Sequence, residues 1–105
     1  MKTVDFKSVI ENENPFMNNK DIQKMCGVKY NTAYNYIQEF KEFCHERHIY
    51  PMDCCFEFFG KIHVDKFAFC HFIQYRDSIK THGIYEKYNE EVYRKKLTKY
   101  IYTSQ

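Results

Sequence analysis

The segment Asp21-Ile22-Gln23-Lys24-Met25-Cys26-Gly27-Val28-Lys29-Tyr30-Asn31-Thr32-Ala33-Tyr34-Asn35-Tyr36-Ile37 reads as two helices joined by a tight turn. Ile22, Met25 and Cys26 recur at helical spacing and make an inward face. Gly27 stops that helix, being the residue that accepts a left-handed backbone without steric cost, and Val28 follows as an expected buried peg. Asn18 stands where it can cap the helix start, with Met17 and Ile22 at the two positions of a hydrophobic staple. The next helix is expected from Tyr30 to about His48, before Tyr50-Pro51. At 100° per residue Ala33, Tyr36, Ile37, Phe40, Phe43 and Cys44 share an arc of about 120°, the width of a core-facing stripe. The other arc carries Asn31, Tyr34, Asn35, Gln38, Glu42 and His45, with Tyr30 and Lys41 at its edge.

The flanks extend the pattern. Phe6, Val9 and Ile10 predict a first helix over 5–12, broken by Glu11 to Asn14 and Pro15. Cys54 to Phe59, a turn at Gly60-Lys61 and Ile62-His63-Val64 read as a hairpin of aromatic and β-branched residues. Asp65 caps a fourth helix, stapled by Val64 and Phe69, with Ala68, Phe69, Phe72, Ile73 and Ile79 inward and His82-Gly83 at its end. A fifth helix is expected from Ile84 to Tyr102, with Ile84, Tyr88, Val92, Tyr93, Leu97, Tyr100 and Ile101 at helical spacing.

Helix, helix, tight turn, helix, hairpin, helix is the order of a winged helix-turn-helix. Residues 21–37 resemble the helix-turn-helix of lac-repressor-like and excisionase-like proteins, with the Gly27-Val28 turn, small Ala33 and apolar Ile37 in the motif's places. The stretch Gly60-Lys61-Ile62-His63-Val64-Asp65-Lys66-Phe67-Ala68-Phe69-Cys70-His71-Phe72-Ile73 is similar to the wing and following helix of the excisionase family. Together the two cover about half the chain. The expected class is therefore mainly α: a three-helix core plus β-hairpin wing over residues 1–82, with a basic, tyrosine-rich helical element over 83–105.

The resemblance implies duplex docking with the start of the third helix in the major groove. Carried over by position, Tyr30, Asn31 and Asn35 are base-reading positions, and Tyr34 shares their face. Asn can pair bidentately with adenine, and Tyr ring edges can meet thymine methyls. Lys20, Lys29 and Lys61 become phosphate contacts, which set register without reading sequence. The chain departs from the family where Lys29 replaces a Ser or Thr cap, where the third helix runs long with acidic Glu39, Glu42 and Glu46, and where no arginine lies on the reading face. Residues 20–48 carry five positive and four negative charges, a thin electrostatic footprint for a polyanion. Since such folds also serve as protein-docking modules, the same residues suit a purely protein-binding role.

Composition narrows the class further. The 105 residues are room for one domain and a short appended element. Ten Phe, ten Tyr and a single Leu (Leu97) require a core of rings and isoleucines. Thirteen lysines against three arginines, with abundant Asn, Ile and Tyr, are what AT-rich coding produces. No apolar run approaches the roughly 20 residues of a membrane span, and the N-terminus lacks the apolar core of a leader, so a cytoplasmic protein is expected. Five cysteines without a C-x-x-C pair read as free thiols. Cys44 and His48, four apart, and Cys70-His71 lack the closely spaced paired ligands of a zinc site, so neither metal nor cofactor is expected. No Gly-rich phosphate loop, paired-carboxylate signature or nucleophile motif is present, and catalysis is not expected.

Residues 61–105 hold nine Lys/Arg against five Asp/Glu. Arg94, Lys95, Lys96 and Lys99 cluster among Tyr93, Tyr100 and Tyr102, and basic residues interleaved with rings suit single-stranded nucleic acid, whose bases stack on aromatic faces. Two readings follow. The first is an excisionase-like or regulatory DNA-binding protein of a mobile element or phage, acting beside a recombinase. The second rests on a similarity to the small winged-helix proteins that mobile elements of AT-rich Gram-positive bacteria carry beside replication genes. It makes the chain a non-catalytic subunit of a DNA polymerase or primase, with Tyr93, Arg94, Lys95, Lys96, Lys99 and Tyr100 as the partner or single-strand contact.

Overall fold

The computed structural model describes residues 4–103. Its elements run α1 (Phe6–Glu11), β1 (Phe16–Met17), α2 (Asn19–Cys26), α3 (Tyr30–His45), a 3-10 turn at Met52–Cys54, β2 (Cys55–Phe58), β3 (Lys61–Asp65), α4 (Lys66–Lys80) and α5 (Glu90–Thr103). The chain is thus mainly helical, with one small antiparallel sheet ordered β1-β3-β2.

The helix starts follow their caps. The Asp5 carboxylate accepts the Ser8 N–H at 3.0 Å to begin α1. Asn18 and Asp21 form a reciprocal capping box on α2, each side chain accepting the other's backbone N–H at 3.0 Å. Gly27 closes α2 at φ +64°. Asp65 accepts from Phe67 and Ala68 to launch α4. The end of α1 is closed from a distance: the buried Lys66 ammonium donates to the carbonyls of Val9 (3.3 Å) and Asn12, groups a short helix would otherwise leave unpaired.

Three element boundaries differ from those the sequence predicts. First, α3 ends at His45, not His48, because Arg47 folds back onto the Glu42 carbonyl and His48 adopts φ +54°. Second, the hairpin turn is Phe59-Gly60, one residue before the expected Gly60-Lys61. Phe58 pairs Lys61, and the two turn residues have φ +51° and +75°, as a twisted two-residue hairpin requires. Third, residues 84–89 are not helical. Asn89 caps α5, its side chain accepting the Val92 N–H at 3.1 Å, and Ile84 and Val92, placed at helical spacing by the sequence, are exposed. The two-residue strand β1, unanticipated, pairs Phe16 with Asp65 and Met17 with Val64.

The core is aromatic, as a chain with one leucine requires. Phe40 meets Tyr50, Phe69 and Phe72 at ring separations of 5.1, 5.3 and 5.5 Å. Of the predicted inward face of α3, Ala33, Ile37, Phe40, Phe43 and Cys44 are buried, while Tyr36 is half-buried beneath the Arg76 guanidinium. Val28 is half-buried rather than a fully enclosed peg, and so is Ile73. Tyr93, Leu97 and Ile101 of α5 join the same core. Among the described residues no helix is long and apolar enough to cross a membrane.

Candidate nucleic-acid interface

A surface groove of about 480 Å³ lies between the starts of α2 and α3 and the hairpin. Ile37 and Ile62 form its apolar floor, Tyr30 and Tyr34 one wall, and Gly60 and Lys61 the other, with Asn18, Asn19, Lys20 and Gln23 at its end. Four of the seven residues that the motif assigns to DNA (Lys20, Tyr30, Tyr34 and Lys61) therefore line one groove. The other three, Lys29, Asn31 and Asn35, are exposed on the turn and the outer side of α3, outside the lining.

The wall is held from behind. Gln23 Nε2 donates to Asn19 Oδ1 at 2.6 Å, and Asn19 Nδ2 donates to the Tyr30 carbonyl at 3.3 Å, tying α2 to the first residue of α3. Neither Asn19 nor Gln23 was among the sequence candidates, although their i, i+4 spacing on α2 is the signal for such a pair. Tyr30 and Tyr34, one turn apart, stack at 6.4 Å with 20° between their planes, and both rings are exposed. Lys29 makes no side-chain cap for α3, as expected for a lysine in a position that favours Ser or Thr.

Lysine is the charge of this groove. Lys20 and Lys61 are its charged lining residues, and among the described residues no carboxylate lines it. Glu57, opposite Ile62 on β2, stands outside the lining. The acidic far end of α3 is partly neutralised within the fold: Glu39 accepts from Arg76 at 2.7 and 3.1 Å and from Lys80 at 2.7 Å. Burial raises the pKa of the Glu39 carboxyl, but the hydrogen bonds and charges of Arg76 and Lys80 outweigh it and hold the group below its ordinary value.

Of the six C-terminal candidates, five are exposed on α5 and one is buried. Tyr93 is a correction: its ring is buried and its hydroxyl donates to Gln74 Oε1 at 2.9 Å, because Tyr93, Leu97 and Ile101 form the inward stripe of α5. Arg94 lies 4.4 Å over the Phe67 ring, Lys95 faces Glu91 at 3.8 Å, and Lys96 pairs with Glu86. Lys99 is exposed on α5. Tyr100 is exposed.

A buried histidine organises this end of the molecule. His71 is fully enclosed by the rings of Tyr50, Tyr75, Tyr88 and Tyr93. Its Nε2 lies 2.6 Å from the Glu86 carbonyl, an obligate acceptor, so Nε2 carries the proton and Nδ1 accepts the Tyr50 hydroxyl at 2.8 Å. Burial pushes the His71 pKa down, with the Glu86 backbone bond and charge acting in the other direction. The neutral ring therefore pins residues 84–89 to α4. All five cysteines are free and buried; burial pushes Cys26 and Cys55 to about 11 and Cys54 to about 12, which suppresses their thiolates. Among the described residues no three His, Cys, Asp or Glu side chains are grouped to hold a metal ion.

Comparison of the chain with protein-family models, with curated proteins and with solved structures finds no match.

Proposed function

We propose that the chain is a non-catalytic DNA-binding protein of the winged helix-turn-helix type. On this reading it is an excisionase-like or regulatory protein of a mobile element or phage, acting in the cytoplasm on duplex DNA through the start of α3. The observation that carries the reading is the groove: Lys20, Tyr30, Tyr34 and Lys61, drawn from α2, α3 and the hairpin, meet around one acid-free concavity. The succession of helix, helix, tight turn, helix and hairpin is in keeping with it. With α3 in the major groove, Asn31 and Asn35 are exposed to pair with adenine edges, Tyr30 and Tyr34 to meet thymine methyls, and Lys20, Lys29 and Lys61 to hold phosphates.

The test is selection of duplexes from a random pool, followed by fluorescence anisotropy. Asn31→Ala and Asn35→Ala are expected to relax sequence preference, each by about 1–3 kcal/mol at one position. Lys29→Ala is expected to weaken binding to all duplexes alike, and three phosphate contacts give a salt slope of roughly −3. Equal affinity for every duplex, with no sequence recovered, contradicts the reading.

A second reading, an accessory subunit of a polymerase or primase that helps hold single-stranded DNA, is favoured by the apolar and aromatic surface at the C-terminal end. Ile84, Val92, Tyr100 and Tyr102 are all exposed there. Co-purification with a polymerase or primase of the same element, lost on Tyr100→Ala, supports it.

A further inference from the structure

Phe58 and Phe59 stand at the hairpin tip in a way that the stability of the hairpin does not explain. Phe59 is 90% exposed and Phe58 58% exposed, their rings edge to face at 4.4 Å. Phe59 also sits at φ +51°, the left-handed region that strains a bulky side chain and that Asn, Asp and Gly enter readily. The two-residue turn it begins is best made by Asn-Gly, and here Phe occupies the Asn position. The tip is therefore both strained and apolar where a polar residue would suit the turn better.

The outer face of the hairpin carries further rings. On the same side of the sheet as Phe58, Phe56 stacks on its cross-strand partner His63 at 5.4 Å, and Phe16 of β1 meets Phe56 edge to face at 4.9 Å. These rings share the outer face with Phe58, whose own cross-strand partner is Lys61. Lys61 and Gly60 in turn border the groove that holds Tyr30, Tyr34 and Lys20. The ring pair and the groove thus meet at Lys61, the outer-face partner of Phe58, whose charge suits a polyanion.

We infer that Phe58 and Phe59 form an apolar wedge that enters duplex DNA between two base pairs and bends it. The inference rests on the duplex-binding reading above and extends it to the hairpin. With phosphates held on Lys20 and Lys61, the tip overhangs the adjoining minor groove. Apolar side chains inserted there unstack a base step and kink the duplex, most easily at a pyrimidine–purine step.

The experiment uses the full chain and a 30-base-pair duplex that it selects from a random pool, labelled with a donor and an acceptor at its two ends. Wild type is expected to raise energy transfer as it binds. Phe59→Asn supplies the residue the turn prefers, so this variant is expected to melt at or above the wild-type temperature. It should nevertheless bind about tenfold more weakly and leave the duplex straight. Phe59→Gly, unstrained at this φ, should do the same. Wild-type affinity and bending in both variants would overturn the wedge while leaving duplex binding intact, as would tight binding of an unbent duplex by wild type. Recovery of no duplex by the wild-type chain would overturn both the wedge and the reading it rests on.

Discussion

Leu97→Ala and Val92→Ala should differ sharply, although both residues fall on the apolar spacing of the last helix. Leu97 is 4% exposed against the core and Val92 is 53% exposed. Truncating a buried leucine removes its transfer free energy and leaves a cavity, together about 2–5 kcal/mol. A chain of 105 residues has a total stability of roughly 5–15 kcal/mol, so Leu97→Ala removes a large share of it. At roughly 4–8 °C per kcal/mol for a domain of this size, the melting temperature should fall by some 8–40 °C. Val92→Ala should stay within about 0.5 kcal/mol of wild type, as exposed substitutions do. Truncation after Gly83 removes Tyr93, Leu97 and Ile101 together; at about 1.5–3 kcal/mol for each buried side chain the loss is about 4.5–9 kcal/mol, comparable to the lower half of that range, so residues 1–83 should melt far below the full chain or fail to fold. Circular dichroism melting and urea titration of the three variants measure this. A Val92→Ala loss equal to that of Leu97→Ala, or a 1–83 fragment melting like the full chain, would refute the packing of α5 as a brace.

His71 supplies a pH dependence of fixed sign. Its folded pKa lies below the ordinary 6.5, so its contribution to stability is complete above that value and drains away as pH falls below it toward the folded pKa. The melting temperature should drop between pH 7 and pH 5, and His71→Gln should lose much of that slope; an unchanged slope in the variant would exclude His71 as its source. Lys66→Met removes the ammonium from the carbonyls of Val9 and Asn12 and should cost about 1–2 kcal/mol in urea titration, whereas a gain in stability would show that burying this charge outweighs its bonds.

The sequence reports a helix start well when the signal is local. Asn18 and Asp65 cap the helices they were expected to cap, and Gly27 ends α2, because a cap and its N–H partner lie within a few residues. The start of α5 shows the opposite case. Ile84, Tyr85 and Tyr88 have helical spacing, yet Tyr85 and Tyr88 are drawn onto His71, an anchor on another helix that no local pattern reveals. Asn89 followed by Glu90 and Glu91 was the available cap signal, masked by that apolar spacing. Tyr93 was read as a contact because lysines and an arginine surround it; the stripe of Tyr93, Leu97 and Ile101 at i, i+4 and i+8 is the pattern that decides its direction. β1 left no trace, since two residues carry no periodicity and its pairing with β3 is long-range.

The groove was legible only as a set of residue types, because its assembly depends on matched lengths of helix and strand. His45, at the end of α3, has Nε2 3.1 Å from the Met52 carbonyl and 3.0 Å from the Cys55 carbonyl, so the ring N–H fixes the base of the hairpin to that end of the helix. From there β2 runs back along α3. The helix covers ~16 Å between His45 and Tyr34 at about 1.5 Å per residue. The strand covers ~17 Å between Cys55 and Gly60 at about 3.3 Å per residue. The two distances agree, and the turn arrives beside Tyr34 rather than short of it or beyond the helix. Moving the turn by one residue, as separates Phe59-Gly60 from Gly60-Lys61, shifts the pairing by two, so that Phe58 would face His63 instead of Lys61 and Phe59 would enter the strand opposite Ile62. The register of so short a strand thus decides that Phe58 stands beside the groove-lining Lys61 and that Phe59 is left in the turn.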